Sequence, residues 1–258
     1  MSILKQMIAT NGVVWTLHVG LYVLIRKVRK DCRIPFLDRR IKNMEKKHGL
    51  PGINCPELNC AIWNGWNWER KAGEEWTLGP EWKQALVDHV LHRYIDPGLS
   101  TLEIGPGAGR WTGILADLAG DLAVVDISRR CVEICREKFA HLDNITYYTT
   151  PGSSLGFLTD ESIDRIWSYD TFVHIAPKET EEYIGEFARV LRKGGRAVIH
   201  HAKEGGLHGG WRSSMTDRLF AEMLAKHGLT LEEQFDSWGD EGQFHVRHYH
   251  DIFSVFRR

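Results

Sequence analysis

Nothing in this sequence supports a disulfide-held, secreted protein. The five cysteines, Cys32, Cys55, Cys60, Cys131 and Cys135, are odd in number, irregularly spaced and without a CxxC pair. They read as packing residues in a reducing compartment rather than disulfide partners or zinc ligands. Charge of one sign is also missing: the formal net charge is −1, which excludes a globally basic nucleic-acid binder. There is no internal repeat and no low-complexity tract, which sets aside repeat architectures. The most apolar stretch, Val13 to Ile25, is broken by Thr16, His18 and Gly20 and preceded by Thr10, Asn11 and Gly12. It falls short of the ~20 residues a spanning helix needs. No small-residue cleavage site follows it, and its positive charge comes mainly after the apolar run, the reverse of a secretory signal.

What is present is ordinary globular composition: 258 residues, 43% hydrophobic and 26% charged. That suits one large α/β domain, or a domain with a small appendage. The charge is unevenly placed. Residues 1–50 carry eight more basic than acidic residues, and the remainder nine more acidic than basic. Arg26, Lys27, Arg29, Lys30 and Arg33 directly follow the apolar run. An apolar face beside such a cluster suits the cytoplasmic surface of an anionic bilayer, so residues 1–33 are a membrane-contact candidate. A helix folded over the main domain, or over an oligomer partner, fits the same pattern. The expected organisation is a basic apolar leader and connector over 1–60, with a helix from Ile34 to Lys47, then a catalytic domain over 61–258. The expected location is cytoplasmic, either free or peripheral on the inner membrane face.

A tryptophan-rich cap opens the second part. Trp63, Trp66, Trp68, Trp76 and Trp82 fall within 20 residues, interleaved with Asn64, Asn67, Glu69, Arg70, Glu74 and Glu75. Indoles beside hydrogen-bonding groups make a wall for a sugar or a cofactor; about half of them are expected simply to pack, since large aromatics are mostly buried. Pro80 to Tyr94 reads as a helix ended by Asp96-Pro97-Gly98. Short apolar runs then alternate with amphipathic ones, the pattern of a parallel sheet flanked by helices. Strands are expected at 101–104, 122–125, 145–148, 165–169, 197–200, 229–235 and 249–256. The helices between them are expected at 111–118, 128–139, 178–191 and 215–227, the third closed by a left-handed glycine cap at Lys193-Gly194-Gly195.

The stretch Leu102-Glu103-Ile104-Gly105-Pro106-Gly107-Ala108-Gly109-Arg110-Trp111-Thr112 is a strand, a glycine loop and a helix start. Gly105, Gly107 and Gly109 allow a tight turn and close approach of a ligand. Asp126, 21 residues after Gly105 at the end of the next strand, is placed to accept from two ribose hydroxyls. A dinucleotide fingerprint would need glycine where Arg110 stands, and Glu103 would set a carboxylate near a phosphate. S-adenosylmethionine, which has no phosphate, avoids both penalties; Glu103 would then bind the loop backbone or face the cationic amino-acid end.

On these residues the sequence resembles the class I S-adenosylmethionine-dependent methyltransferases, over roughly residues 76–201 and more loosely to the C-terminus. The matching pieces are LEIGPGAGRWT at 102–112, VVDIS at 124–128, SIDRIWSYDTFVHI at 162–175 and VLRKGGRAVIHH at 190–201. The resemblance implies an α/β, Rossmann-like seven-stranded sheet with an antiparallel last strand, here with an N-terminal helical and aromatic extension. It also implies S-adenosylmethionine contacts from Glu103, Gly105, Gly107, Gly109 and Asp126, to which Ile127 and Tyr169 are added at the ends of the second and fourth strands. Where many members carry an acid that reads the adenine amine, this chain has Thr150-Pro151-Gly152-Ser153, leaving Ser153 or backbone as the substitute.

Methyl transfer from a sulfonium is an in-line displacement, so alignment supplies most of the acceleration. A base is needed only if the acceptor must lose a proton. Asp170 and His174 past the fourth strand, and His200 and His201 at the end of the fifth, are the candidates. Neighbouring strand residues face opposite ways, so at most one of His200 and His201 faces the pocket. His245, His248 and His250 lack a carboxylate pattern and split across two faces, so no metal is expected. Asp170-Thr171-Phe172-Val173 is not the signature of base-amine methyltransferases, which disfavours nucleic-acid bases as acceptors. GGLHGGWRSSMTD at 205–217 reads as a flap through which Trp211 and Arg212 close over an acceptor, or as a plain surface loop. The Trp-rich segment, GEEW at 73–76, IHHA at 199–202 and GWRSSM at 210–215 together look similar to methyltransferases of surface-glycan assembly. Three functions stay open: methyl transfer to a hydroxyl of a saccharide or other small molecule, methylation of a lipid or quinone at a membrane surface, and a non-catalytic cofactor-binding scaffold.

Overall fold

A computed structural model describes residues 2–28, 34–205, 212–247 and 250–258. Arg29, Lys30 and Arg33 of the basic cluster, Trp211 of the expected flap, and His248 lie outside them.

Four helices open with proline at the first turn: α2 (Pro35–His48), α3 (Pro56–Gly65), α4 (Pro80–Leu86) and α8 (Pro177–Val190). Proline fits there because its missing N–H would have no helical partner. α4 continues through a wider turn, Val87–Leu91, into α5 (His92–Tyr94). Two more helices begin on side-chain caps. Ser128 accepts from the Cys131 N–H to open α7 (Arg129–Lys138), and Thr216 accepts from the Leu219 N–H to open α9 (Asp217–Lys226). α6 (Thr112–Leu118) follows the glycine loop.

The strands are β1 (Ser100–Ile104), β2 (Asp121–Asp126), β3 (Ile145–Thr149), β4 (Ile163–Ser168), β5 (Leu191–Ala202), β6 (Thr230–Phe235), the two short strands of a hairpin, β7 (Ser237–Trp238) and β8 (Phe244–His245), and β9 (Asp251–Arg257). Seven of them form one sheet in the order β3-β2-β1-β4-β5-β9-β6. The strands from β3 to β5 pair in parallel, and β9 pairs antiparallel with both neighbours. This is the expected sheet, with the chain's last strand reversed. Both faces are buried. Leu102, Ile166, Ala197 and Phe256 feed one layer with Phe187 and Phe220, while Val124, Trp167, Val198 and Val255 feed the other with Leu86 and Leu115. Chain order reverses between β1 and β4, so the crevice at their carboxyl ends is where an open α/β sheet takes its ligand.

Two local expectations change. The glycines after α8 do not cap it: the helix ends at Val190 and β5 starts at the next residue. Gly194, at φ +79, instead turns the backbone inside β5, where pairing with β4 shifts register between Ile163 and Arg165. The N-terminal helix, α1 (Ile3–Val28), is longer than the apolar run implied. It passes through Thr10 and Asn11 and kinks at Gly12 (φ 79, ψ 167), so Ile3–Ile25 is long and apolar enough to cross a membrane by length and composition. One of its faces is nevertheless occupied. Trp15, Val19 and Tyr22 share a core with Leu37 and Ile41 of α2 and Leu58 and Ile62 of α3. α3 thereby runs across the expected junction at residue 60.

Candidate active site

The glycine loop is shaped first by its protein neighbours. Gly105 (φ +74) leaves β1, and a Cβ there would lie 2.1 Å from Thr171 Oγ1; at Gly107 (φ +57) it would lie 2.9 Å from Trp68. Thr171 in turn donates to the Gly105 carbonyl at 3.2 Å. Gly105→Ala combines overpacking with left-handed strain, so an unfolding-stability loss of roughly 2–5 kcal/mol is expected. Urea denaturation checks this, and an unshifted midpoint would refute it.

Asp126 ends β2 beneath this loop, accepting from the Ser128 N–H at 2.8 Å and the Gly107 N–H at 3.4 Å. Burial pushes its carboxyl up to about 7, against those backbone donors. Together with Gly105, Gly107, Ile127 and Tyr169 it lines a cavity of about 950 Å³, counting its open mouth. Gly152, Asp170, Thr171, His174, Glu179 and Tyr183 line it too, as do Asn59, Trp63, Trp68 and Trp76 of the N-terminal extension.

Five expected site residues lie elsewhere. Glu103 is buried under the loop, where it accepts from the Thr112 hydroxyl at 2.6 Å, so it faces α6 rather than the cavity. Burial raises its carboxyl to about 8. Gly109 packs on Phe139, which a Cβ would approach within 2.5 Å. Ser153 is turned outward and donates to Glu182, leaving Gly152 on the wall. His200 stacks on Tyr169 at 4.4 Å, and its Nδ1 accepts the Asp170 N–H at 3.1 Å. Its one lone pair is therefore used, and burial holds its pKa well below the ordinary value. His201 points the other way. It stacks on Phe220 at 4.0 Å, lies 2.7 Å from Ser254 Oγ through Nε2, and is lowered by burial to about 4. Strand alternation separates the two as expected, but Tyr169 stands between His200 and the cavity.

His174 does reach the cavity. It closes a short turn, Phe172–His174, with its ring 5.3 Å from Trp63. Its backbone carbonyl accepts from Asn54 at 3.1 Å and Asn59 at 2.8 Å, which fastens the turn to α3. Asp170, at φ +61, turns its carboxylate between Arg110 (3.3 Å) and Arg212 (3.7 Å). Burial works to raise its pKa, but the two guanidinium groups outweigh it and hold the carboxyl below its ordinary value. An acid so paired is a poor proton acceptor. Arg212, expected to close over an acceptor, is instead anchored in this network and reaches Asp251 at 2.9 Å.

In the sequence Arg110 is notable only for breaking a dinucleotide fingerprint. Its side chain is 6% exposed and stacks near Trp76, Trp111 and Tyr169 at 5.1 to 6.0 Å. Its Nη1 has no hydrogen-bond partner among the described residues. Only the adjacent Trp111 is a sequence signal for it, because guanidinium groups stack on indoles; its contact with Trp76 arises from the fold. Of the five clustered tryptophans, three line the cavity, Trp66 stacks on Trp76 at 5.4 Å, and Trp82 lies in the sheet's core against Trp238 at 5.3 Å. No group of three or more metal-ligating side chains occurs among the described residues; His250 lies 3.0 Å from Glu204 instead.

Residues 102–199, the segment from β1 to β5, match the family described as "Methyltransferase domain". Over that segment the chain is similar to methyltransferase domains. An uncharacterized methyltransferase of Anoxybacillus flavithermus is 33% identical over 103 residues, covering 40% of this chain and 46% of the relative. A demethylmenaquinone methyltransferase of Tropheryma whipplei is 30% identical over 105 residues, covering 41% and 42%. The chain thus spans less than half the length of these curated relatives. In fold, the chain resembles a TehB-like S-adenosylmethionine-dependent methyltransferase from Corynebacterium glutamicum, with TM-score 0.54, 22% identity, and coverage of 74% of this chain and 94% of the other. S-adenosylmethionine is the cofactor of such domains, and the cavity's donor set fits it. Asp126 offers two buried carboxylate oxygens for a ribose diol at the carboxyl end of β2, and among the described lining residues Arg110 alone carries a guanidinium or ammonium group, too few for a pyrophosphate cradle.

Proposed function

We propose that this protein transfers a methyl group from S-adenosylmethionine to a hydroxyl of a saccharide or another small molecule. When bound, the cofactor supplies an electrophilic methyl group. Asp126 holds the ribose, and Ile127 and Gly152 flank the adenine. Glu179, which lines the same wall, supplies the carboxylate for the adenine amine that residues 150–153 lack. The acceptor lies against the indoles of Trp63, Trp68 and Trp76, which exclude water and offer flat apolar faces to a sugar ring. His174 takes the hydroxyl proton as the new bond forms. Asp170, kept ionised by two arginines, positions Arg110 rather than moving a proton. The observation that carries this reading is the convergence of Asp126, an indole wall and one cavity-facing histidine in a single cleft.

A second reading, methylation of a lipid or quinone, is favoured by the exposed apolar face of α1. Incubating the full chain with S-adenosylmethionine and panels of glycans, lipids and small phenols distinguishes the two. A mass gain of one CH₂ on a glycan or phenol hydroxyl is the expected product. Gain only on lipids would replace the first reading with the second. Tight binding of a nicotinamide dinucleotide with no methyl transfer would end both.

A further inference from the structure

The outward face of α1 is apolar along its length. Val13, Val14, Leu17, Leu21, Leu24 and Val28 are 50–79% exposed, on the side opposite Trp15, Val19 and Tyr22. The 3-4 spacing from Val14 to Val28 places them in one stripe. Monomeric soluble proteins rarely leave such a contiguous strip in water. The helix is also fastened down. Asn11 donates to the Gly52 carbonyl at 3.2 Å and accepts from its N–H at 2.8 Å, and Trp15 Nε1 donates to Glu45 at 3.0 Å. Crossing a bilayer would tear these polar pairs apart or carry them into hydrocarbon, so a helix held this way lies flat.

The exposed charges of α1 and α2 all have one sign. Among the described residues of α1 and α2, the exposed charged residues are Lys5, Lys27, Arg39, Arg40, Lys46 and Lys47. The two acidic residues of this unit, Asp38 and Glu45, are half-buried, and Glu45 is engaged with Trp15 and Lys42. A second copy docked on this unit would bring two basic helix pairs together. An anionic bilayer complements both the apolar stripe and the basic charge of the helix pair.

We propose that α1 and α2 form a docking surface for an anionic lipid bilayer, with the stripe from Val13 to Val28 immersed at the headgroup boundary. α3 shares their core and carries Asn59 and Trp63 into the cavity wall, so docking would bring the cleft close to an acceptor held in or on the membrane. The inference does not depend on the proposed methyl transfer, and its test reads no activity.

The test is co-sedimentation of the full chain with vesicles of equal parts phosphatidylcholine and phosphatidylglycerol, and with phosphatidylcholine alone. Strong partition to the anionic vesicles, weakened by salt, is expected. The double variant Leu17→Glu/Leu21→Glu should reduce it by about tenfold or more with an unchanged melting curve, and Arg39→Glu/Lys46→Glu should reduce it on anionic vesicles. Wild-type protein left in the supernatant, or equal partition by the leucine variant, would overturn the proposal. So would a dimer, seen by sedimentation, that the leucine variant dissociates while vesicles bind neither form.

Discussion

Asp126→Ala is expected to weaken S-adenosylmethionine binding by roughly 10²- to 10⁴-fold, the cost of two hydroxyl bonds to a charged acceptor at about 1.5–3 kcal/mol each. The same carboxylate makes the affinity pH-dependent. Burial places its pKa at about 7, and ribose hydroxyls donate to the ionised form, so binding below that pH must release a proton. Affinity should fall about tenfold between one unit above that value and one unit below it. Titration calorimetry in buffers of different ionisation enthalpy measures both effects, and a flat profile would contradict the role given to Asp126. In the ligand-free protein the sign is opposite. Glu103 and Asp126 have folded pKa values raised to about 8 and about 7, so the stability they contribute is complete below their unfolded pKa values and disappears as pH rises through 7 and 8. The buried histidines, depressed in the folded state, act in the other direction only as pH falls below the ordinary histidine value of about 6.5. Melting temperature should therefore fall from pH 6.5 to 8 without ligand.

For His174→Ala, kcat is expected to drop by roughly 10²- to 10⁴-fold, the usual worth of a positioned general base, with the dissociation constant for S-adenosylmethionine unchanged. The hydrogen bonds from Asn54 and Asn59 that fasten the turn end on its backbone carbonyl, so the turn should survive the substitution. His200→Ala is the control. It removes a ring stacked on Tyr169 and an acceptor for the Asp170 N–H, so it should lower the melting temperature while leaving the pH profile of kcat in place. An unchanged rate for His174→Ala, or loss of the acidic limb of the pH–rate profile only in His200→Ala, would exclude His174 as the base.

The parts legible in the sequence were those set by local rules. Strand positions followed from apolar runs, because a sheet covered on both faces needs them. The turn at Gly105 and the acid at Asp126 were legible because each follows a strand end at a fixed spacing. The opposed faces of His200 and His201 followed from the pleat. The glycines after α8 misled, since the same residue type serves a helix cap and a register shift inside a strand. The apolar run from Val13 understates α1, because Gly12 breaks helical periodicity in the sequence, whereas packing on α2 and α3 carries the helix through it.

The sequence alone determined the order of strands and helices, the place of the nucleotide loop and the acid that ends β2, because these depend on periodicity and spacing along the chain. Tertiary structure decided which side chains share the cleft. Glu103 turns toward Thr112, Tyr169 shields His200, Ser153 faces Glu182, and α3 fastens the turn that presents His174. It also turned Arg110 and Asp170, 60 residues apart, into a buried pair. Such contacts follow from packing between distant segments, and no local pattern encodes them.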